Sequence, residues 1–311
     1  MYFVKHIILY YEEEGKNTMS KNEIQLGRYK INAASVPYLI AEIGINHNGD
    51  LQIAKKLMDA ANACQWHCVK FQKREPDISV PEEQKTVMRD TPWGRMTYLD
   101  YKKHIEFGAE AYGYITKYCK EKPLDWTASP WDIPSLEFLL HYDIPFIKMP
   151  SAMLTNHDLL IRAAKSGKPL VVSTGMSTME EIDQAVSLLE KYASGGYILM
   201  HTNSSYPTAP DDINLNMITT LRERYHCLVG YSGHEQDLEP TVVAAVLGAC
   251  VIERHVTLSH EMWGTDQAAS LTVPAMGMLQ GRIANLQKMM GNGEKVLSEA
   301  ELSVRKKLRG C

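Results

Sequence analysis

No stretch of the sequence comes near the roughly 20 consecutive apolar residues that a bilayer-spanning helix needs, so no membrane span is expected along its 311 residues. The apolar opening, 1–11, runs straight into Glu12, Glu13 and Glu14 without the small-residue cleavage pattern of a secretory signal. Neither sign of charge dominates. Against 37 acidic residues stand 33 basic ones, a formal net charge of −4, so the broad positive field that draws a nucleic-acid backbone or an anionic membrane is missing. The expectation is a cytoplasmic protein with small-molecule ligands, with neither nucleic acid nor membrane as partner. Cysteine is sparse: Cys64, Cys68, Cys119, Cys227, Cys250 and Cys311 include no CxxC pair, which argues against a zinc site or a disulfide framework and for reduced thiols. The remainder, 45% apolar and 23% charged, describes a globular chain.

Short apolar or β-branched runs recur at 38–44, 67–73, 125–129, 146–149, 170–174, 197–202, 228–232 and 250–256. Segments with helical spacing of their apolar residues separate them, at 51–63, 133–141, 156–164, 178–193, 215–224 and 241–249, with a last one at 274–290. Eight strands alternating with helices predict an α/β protein, a (β/α)8 TIM barrel. Asn48-Gly49-Asp50 marks the start of the first helix, and Ser177-Thr178-Met179-Glu180 reads as a capping box ahead of the fifth. The alternating segment 24–33 with Gly27 predicts a small hairpin over the N-terminal mouth of the barrel. The domain division expected is an N-terminal extension, 1–22, followed by one barrel domain, 23–311, that includes the hairpin. Met19 is a second candidate start. The long insertion 75–103, rich in aromatic residues, is expected to form an active-site lid.

In such a barrel the side chains at the C-terminal strand ends converge on one pocket. Here those ends are polar: Glu42, Lys70, Gln72, Ser129, Lys148, Ser151, Ser173, His201, Ser204, Tyr206, Ser232, His234, Glu253 and His255. Lys70 (CVKFQ) and Lys148 (FIKMP) sit inside apolar strands, and with the hydroxyls of Ser129, Ser151, Ser173 and Ser204 they suit a phosphate or carboxylate. A Schiff-base lysine is the rival reading of either one. His234 and His255, on adjacent strands, can share a divalent metal, while His201 alone reads as a core histidine. Glu253, two residues before His255 and so on the same face, is a further ligand, a base or an orienting group. The segment from Trp263 to Gln267 (WGTDQ) joins an acid and an indole, a combination suited to a sugar: Asp266 accepts from hydroxyls and Trp263 offers an apolar face.

Taken in order, AEIGINHNGD (41–50), VKFQK (69–73), ASPWD (128–132), IKMPS (147–151), STGMST (173–178), SSYPT (204–208), GYSGHE (230–235), IERH (252–255) and WGTDQ (263–267) resemble the sialic acid synthase family, from about residue 38 to 287. The resemblance implies a phosphoenolpyruvate-condensing barrel. It implies that Lys70 and Lys148 bind phosphoenolpyruvate with Ser129, Ser151, Ser173, Ser204 and Ser232, that a Mn²⁺ or Mg²⁺ ion rests on His234 and His255, and that Gln72, Tyr206 and Asp266 contact the sugar. It further implies that the ion polarises the aldehyde of N-acetylmannosamine or a related N-acyl hexosamine. Carbon 3 of phosphoenolpyruvate then attacks, water activated by the ion or by Glu42 or Glu253 adds at carbon 2, and phosphate leaves by C–O cleavage. A homodimer is implied too. Two features depart from the family pattern: Met153 stands where many members carry an acid, and the antifreeze-like C-terminal domain of most members has no counterpart before Cys311. Arg74, the loop 75–103 or a separate chain is therefore expected to close the acceptor site. A barrel synthase acting on a phosphorylated aldose, using Lys73, Arg74 and Arg95, and a non-catalytic sugar-acid-binding barrel are the alternatives.

Overall fold

In the computed structural model residues 23–309 are described; the proposed extension 1–22 lies outside them. Strands β1 (Glu23–Leu26) and β2 (Tyr29–Asn32) form an antiparallel hairpin. Eight parallel strands follow: β3 (Tyr38–Gly44), β4 (Cys68–Lys73), β7 (Asp125–Pro130), β8 (Ile147–Met149), β9 (Leu170–Ser173), β10 (Tyr197–Thr202), β11 (Leu228–Gly233) and β12 (Val251–Thr257). Their spatial order is β7-β4-β3-β12-β11-β10-β9-β8. The seam between the two end strands is bridged by the Thr127 hydroxyl, which donates to the Phe146 carbonyl at 2.7 Å. The expected (β/α)8 barrel is therefore the observed one, and all eight predicted runs are strands.

Strand parity divides the core into two layers. Alternate residues such as Leu39, Ala41, Val69, Phe71, Leu199 and Ile252 face outward under the helices in the large cluster. Tyr38, Ile40, Cys68, Phe146, Val171, Ile198, Met200, Leu228 and Val251 point inward near the strand starts, where Ile24, Leu26 and Ile31 of the hairpin meet them. The hairpin plugs the N-terminal mouth, as its alternation predicts. With the bottom filled by hydrocarbon, polar groups on the same inward parity are confined to the other end.

Local caps mostly follow the sequence. Asp50 accepts from the Gln52 amide at 2.6 Å and starts the helix Leu51–Ala63. The second capping box lies one residue further on than its motif suggested: Thr178 pairs with Glu181 rather than Ser177 with Glu180. The helix Ala109–Lys120 had no counterpart among the predicted helices. The insertion 75–103 folds into two single-turn helices, Pro76–Ser79 and Glu82–Lys85, a hairpin of β5 (Met88–Thr91) and β6 (Gly94–Thr97), and the start of a helix, Tyr98–Ile105. Its buried side, Tyr101 and Ile105 with Met96 and Tyr98, packs on Ile45 and Trp263 at the C-terminal end of the barrel.

Candidate active site

The inward parity of β4 and β8 places Lys70 and Lys148 inside the barrel, 3% and 2% exposed. Each ammonium is held by one serine. Lys70 Nζ donates to Ser129 Oγ at 3.0 Å, and Lys148 Nζ to Ser173 Oγ at 2.7 Å. Two carboxylates balance them. Glu42 Oε2 lies 2.9 Å from Lys70 Nζ, and Glu253 Oε1 lies 3.6 Å from Lys70 Nζ and 3.5 Å from Lys148 Nζ. Ser232 donates to that same Glu253 oxygen at 3.3 Å, while Glu253 Oε2 is buried without a hydrogen-bond partner. Buried charges at this density are tolerated only in a compensated network, and the remaining lone pair is free for a ligand.

The two carboxyls differ. Burial, reinforced by the charge of Glu253, raises the Glu42 pKa despite Lys70. Burial pushes Glu253 upward too, but Lys148 and Lys70 outweigh it and the net direction is down. One carboxyl therefore holds its proton more readily and the other stays ionised, the division of labour that acid–base chemistry uses. Burial lowers Lys148 to about 8 against the raising pull of Glu253, with Lys70 adding to the lowering.

Ser151 and Ser204 meet at a glycine. The Gly175 amide donates to Ser151 Oγ at 3.1 Å, and a Cβ at that position would collide with both serine hydroxyls. Ser204, half-buried, shares this cradle. A second constraint lies across the pocket. Gly44 has φ +55° at the bulge that ends the β3–β4 pairing, and a Cβ there would press on Glu42 Oε1, Gln72 Nε2 and the His255 ring. The backbone hand and the crowding both demand glycine.

His234 and His255 stand side by side, ring centroids 5.5 Å apart. His234 Nδ1 lies 2.5 Å from the Asn203 carbonyl, so Nδ1 carries the proton and Nε2 keeps its lone pair. Burial, then the neighbouring His255, lowers the His234 pKa to about 3, which keeps the ring neutral and ligand-ready. His255 Nδ1 is buried without a hydrogen-bond partner, 3.8 Å from Asp266 Oδ2. No cluster of three or more His, Cys, Asp or Glu side chains suited to a metal occurs among the described residues. The pair fits an ion that takes two imidazoles and completes its shell with water or substrate oxygens. His201, read as a core histidine, is one: its Nε2 meets the Ile213 carbonyl at 2.7 Å.

The remaining predicted residues border this centre. Gln72 Nε2 donates to Glu42 Oε1 at 3.2 Å. The Tyr206 ring lies over His234 at 4.0 Å between centroids and edge-on to His255 at 5.7 Å. Asp266 accepts from Thr265 Oγ1 at 2.7 Å. Met153 sits in the one-turn helix Ser151–Met153, partly buried against the core, so no charge occupies that place. Trp263 packs T-shaped against Tyr101 at 5.0 Å and Trp93 at 5.7 Å between ring centroids. It anchors the insertion.

Several contributors escaped sequence reasoning. Arg254, wholly buried on the outward parity of β12, donates to Glu235 Oε1 at 3.0 Å, to Thr241 Oγ1 at 2.8 Å and to the Glu235 carbonyl. It ties the segment after His234 to the strand carrying His255. Glu and Arg flanking the two histidines in SGHE and IERH were the available signal. Gly175 and the Asn203 carbonyl left none, because their roles are backbone roles.

Comparison with known proteins agrees with this geometry. The family model described as the NeuB family matches residues 57–295. The chain is 40% identical over 253 residues to N-acetylneuraminate-9-phosphate synthase of Drosophila melanogaster, covering 80% of this chain and 68% of that protein. It is 34% identical over 267 residues to N,N'-diacetyllegionaminic acid synthase of Campylobacter jejuni, covering 85% and 80%. Among solved structures, N-acetylneuraminic acid (sialic acid) synthetase from Leptospira borgpetersenii in complex with citrate superposes with a TM-score of 0.81 at 30% identity, covering 93% of this chain and 98% of that one. The chain therefore belongs to the NeuB family.

Proposed function

We propose that this chain is a nonulosonate synthase that condenses phosphoenolpyruvate with N-acetylmannosamine or a related N-acyl hexosamine, releasing phosphate by C–O cleavage. The observation that carries the reading is the meeting of two serine-held lysines, two carboxyls of divergent acidity and two adjacent histidines at one barrel mouth. Synthases of two different nonulosonic acids among the relatives support it.

Lys70 and Lys148 would neutralise the carboxylate and phosphate of phosphoenolpyruvate, with Ser129 and Ser173 holding each ammonium in place. Ser151, Ser204 and the cradle at Gly175 would orient the phosphoryl oxygens, and Ser232 would fix Glu253. Gln72, Tyr206 and Asp266 would hold the acceptor's hydroxyls. His234 and His255 would hold Mn²⁺ or Mg²⁺, whose contribution when bound is Lewis-acid polarisation of the acceptor's carbonyl oxygen. Carbon 3 of phosphoenolpyruvate bonds to the aldehyde carbon, and the carbonyl oxygen takes a proton for which Glu42 is the placed donor. Water adds to the cation at carbon 2, losing a proton toward ionised Glu253. The resulting hydroxyl then collapses to a ketone as the carbon–oxygen bond to phosphate breaks, leaving a nine-carbon 2-keto acid. A homodimer and a cytoplasmic location complete the reading, the first resting on the family resemblance and the second on composition.

The test is phosphate release from phosphoenolpyruvate with Mn²⁺, with and without N-acetylmannosamine, followed by the product's mass. Release that needs both, with the mass of the condensed keto acid, is expected. Measurable phosphoenolpyruvate binding without release in the presence of any N-acyl hexosamine or its phosphate would overturn the proposal.

A further inference from the structure

Gln72 stands between the reacting groups and a buried guanidinium. A Cβ at Gly44 would lie 3.1 Å from Glu42 Oε1 and 3.3 Å from both Gln72 Nε2 and the His255 ring. These three groups therefore surround one point, and the amide nitrogen of Gln72 belongs to the centre of the site. That nitrogen donates to Glu42 Oε1 at 3.2 Å. On the other side the Arg74 guanidinium donates to Gln72 Oε1.

No ion pair accounts for the burial of Arg74. It is 9% exposed and keeps Nε buried without a hydrogen-bond partner. Glu106, the acid whose charge acts on it most, is taken by Lys73 at 2.7 Å. Burying a guanidinium without a counter-charge is unfavourable, yet the chain holds this one firmly. Its carbon lies 3.9 Å from the centre of the Trp131 ring. The backbone on either side is pinned as well: the Trp131 amide donates to the Lys73 carbonyl at 3.1 Å, the Arg74 amide to Glu106 Oε1 at 3.0 Å and the Glu75 amide to Asp132 Oδ2 at 2.7 Å. Seated in this way, the guanidinium has Gln72 as its hydrogen-bond partner among the described residues.

A primary amide has two ends of similar shape and opposite polarity, and rotation of its last torsion exchanges them. A guanidinium only donates. With Arg74 in place the oxygen has to face it, because the flipped amide would set N–H against N–H on one side and its oxygen against the Glu42 carboxyl on the other. We infer that Arg74 is a positioning residue that locks the Gln72 amide in one orientation, so that its N–H groups and not its oxygen face Glu42 and the acceptor. The acceptor part of this inference rests on the synthase reading above. One hydrogen of Nε2 goes to Glu42 and the other is left for the substrate, which has to offer an oxygen lone pair at that point.

Arg74→Met keeps the stem beside Trp131 and removes the donors. Kinetics are measured with phosphoenolpyruvate, Mn²⁺ and N-acetylmannosamine or its 6-phosphate, whichever the unaltered chain turns over. The variant is expected to lower kcat/KM for the sugar about tenfold while the phosphoenolpyruvate KM stays within about twofold. In a Gln72→Ala background the same replacement is expected to change nothing further, because the group it acts through is gone. Trp131→Leu leaves the charge in place and takes away the ring beside it, so it serves where Arg74→Met fails to fold; a loss of about threefold is expected, again absent without Gln72. Losses that add in the Gln72→Ala background would overturn the inference, since Arg74 would then act on the substrate or the fold directly. A second readout does not depend on turnover. In nuclear magnetic resonance of protein with isotope-labelled glutamine, the side-chain amide signal of Gln72, identified by its absence in Gln72→Ala, should exchange slowly in the unaltered chain and broaden in Arg74→Met. A Gln72 signal that Arg74→Met leaves unmoved would overturn the lock whatever the reaction is. Absence of turnover in the unaltered chain, with that signal still dependent on Arg74, would remove the synthase reading and uphold the lock.

Discussion

At the scale of single residues the site is governed by how buried charges are partnered. Lys148 is the sharpest case, because burial brings its pKa down to about 8. A bound anion favours the ammonium form, so affinity for phosphoenolpyruvate is full below about pH 8 and falls by up to about tenfold per pH unit above it. Dissociation constants measured calorimetrically from about pH 7 to about pH 10 should show that rise, and a flat profile would remove Lys148 from the anion site. Its replacement, Lys148→Ala, should raise the phosphoenolpyruvate KM and lower kcat, together costing about 10- to 100-fold in kcat/KM. Unchanged kinetics would reject the role. For the histidines, His234→Ala should abolish stoichiometric Mn²⁺ binding followed by electron paramagnetic resonance; binding equal to that of the unaltered protein would end the ligand assignment.

Elements matter because each delivers a side chain at a defined depth. On β12, Glu253 and His255 face the pocket while Arg254 between them faces outward, where Glu235, together with Thr241 of the helix Glu239–Val246, receives it. Alternation on one strand thus supplies both the chemistry and the brace that holds it. Removing one member of a buried pair leaves an uncompensated charge, so Arg254→Met should cost about 3–5 kcal/mol of stability. The double replacement Arg254→Met with Glu235→Gln should recover part of that loss. Urea unfolding of the two variants checks this, and equal loss in both would mean that the ion pair is not what braces the strand ends. The insertion 75–103 acts at the same scale: its aromatic underside sits on Trp263 and Ile45, and its Lys102 is buried against Tyr98 and Tyr101 rather than left in bulk solvent.

For the whole molecule, one end of the barrel is sealed by hydrocarbon and the other left polar. The hairpin β1–β2 inserts Ile24, Leu26 and Ile31 among the inward residues of the strand starts. Leu26 is completely buried there. Leu26→Ala should therefore cost about 2–5 kcal/mol, read from chemical denaturation, with the phosphoenolpyruvate KM unmoved because the site lies at the opposite end. A loss near zero would mean that the hairpin covers the barrel without contributing to its core.

Much of this was legible in the residues themselves. The eight apolar runs and their helices follow from periodicity, since a parallel barrel repeats one local pattern and each unit carries its own signal. Lys70, Lys148, Glu253 and His255 stood out because a charge within an apolar strand has few alternatives to the barrel interior. What the linear order does not contain is partnership across strands: that Glu42 and Glu253 share Lys70, that Arg254 braces Glu235, that the Trp263 indole supports the insertion. Lys102 was the least legible, because a lysine in an amphipathic helix reads as a solvated face until tertiary packing buries it. The sequence by itself determined the fold, the chemical groups and their depth along each strand, because strand parity and hydrophobic burial are local rules. Only the tertiary structure decided which charges are balanced and which are left open, because that depends on distances between segments far apart in the chain.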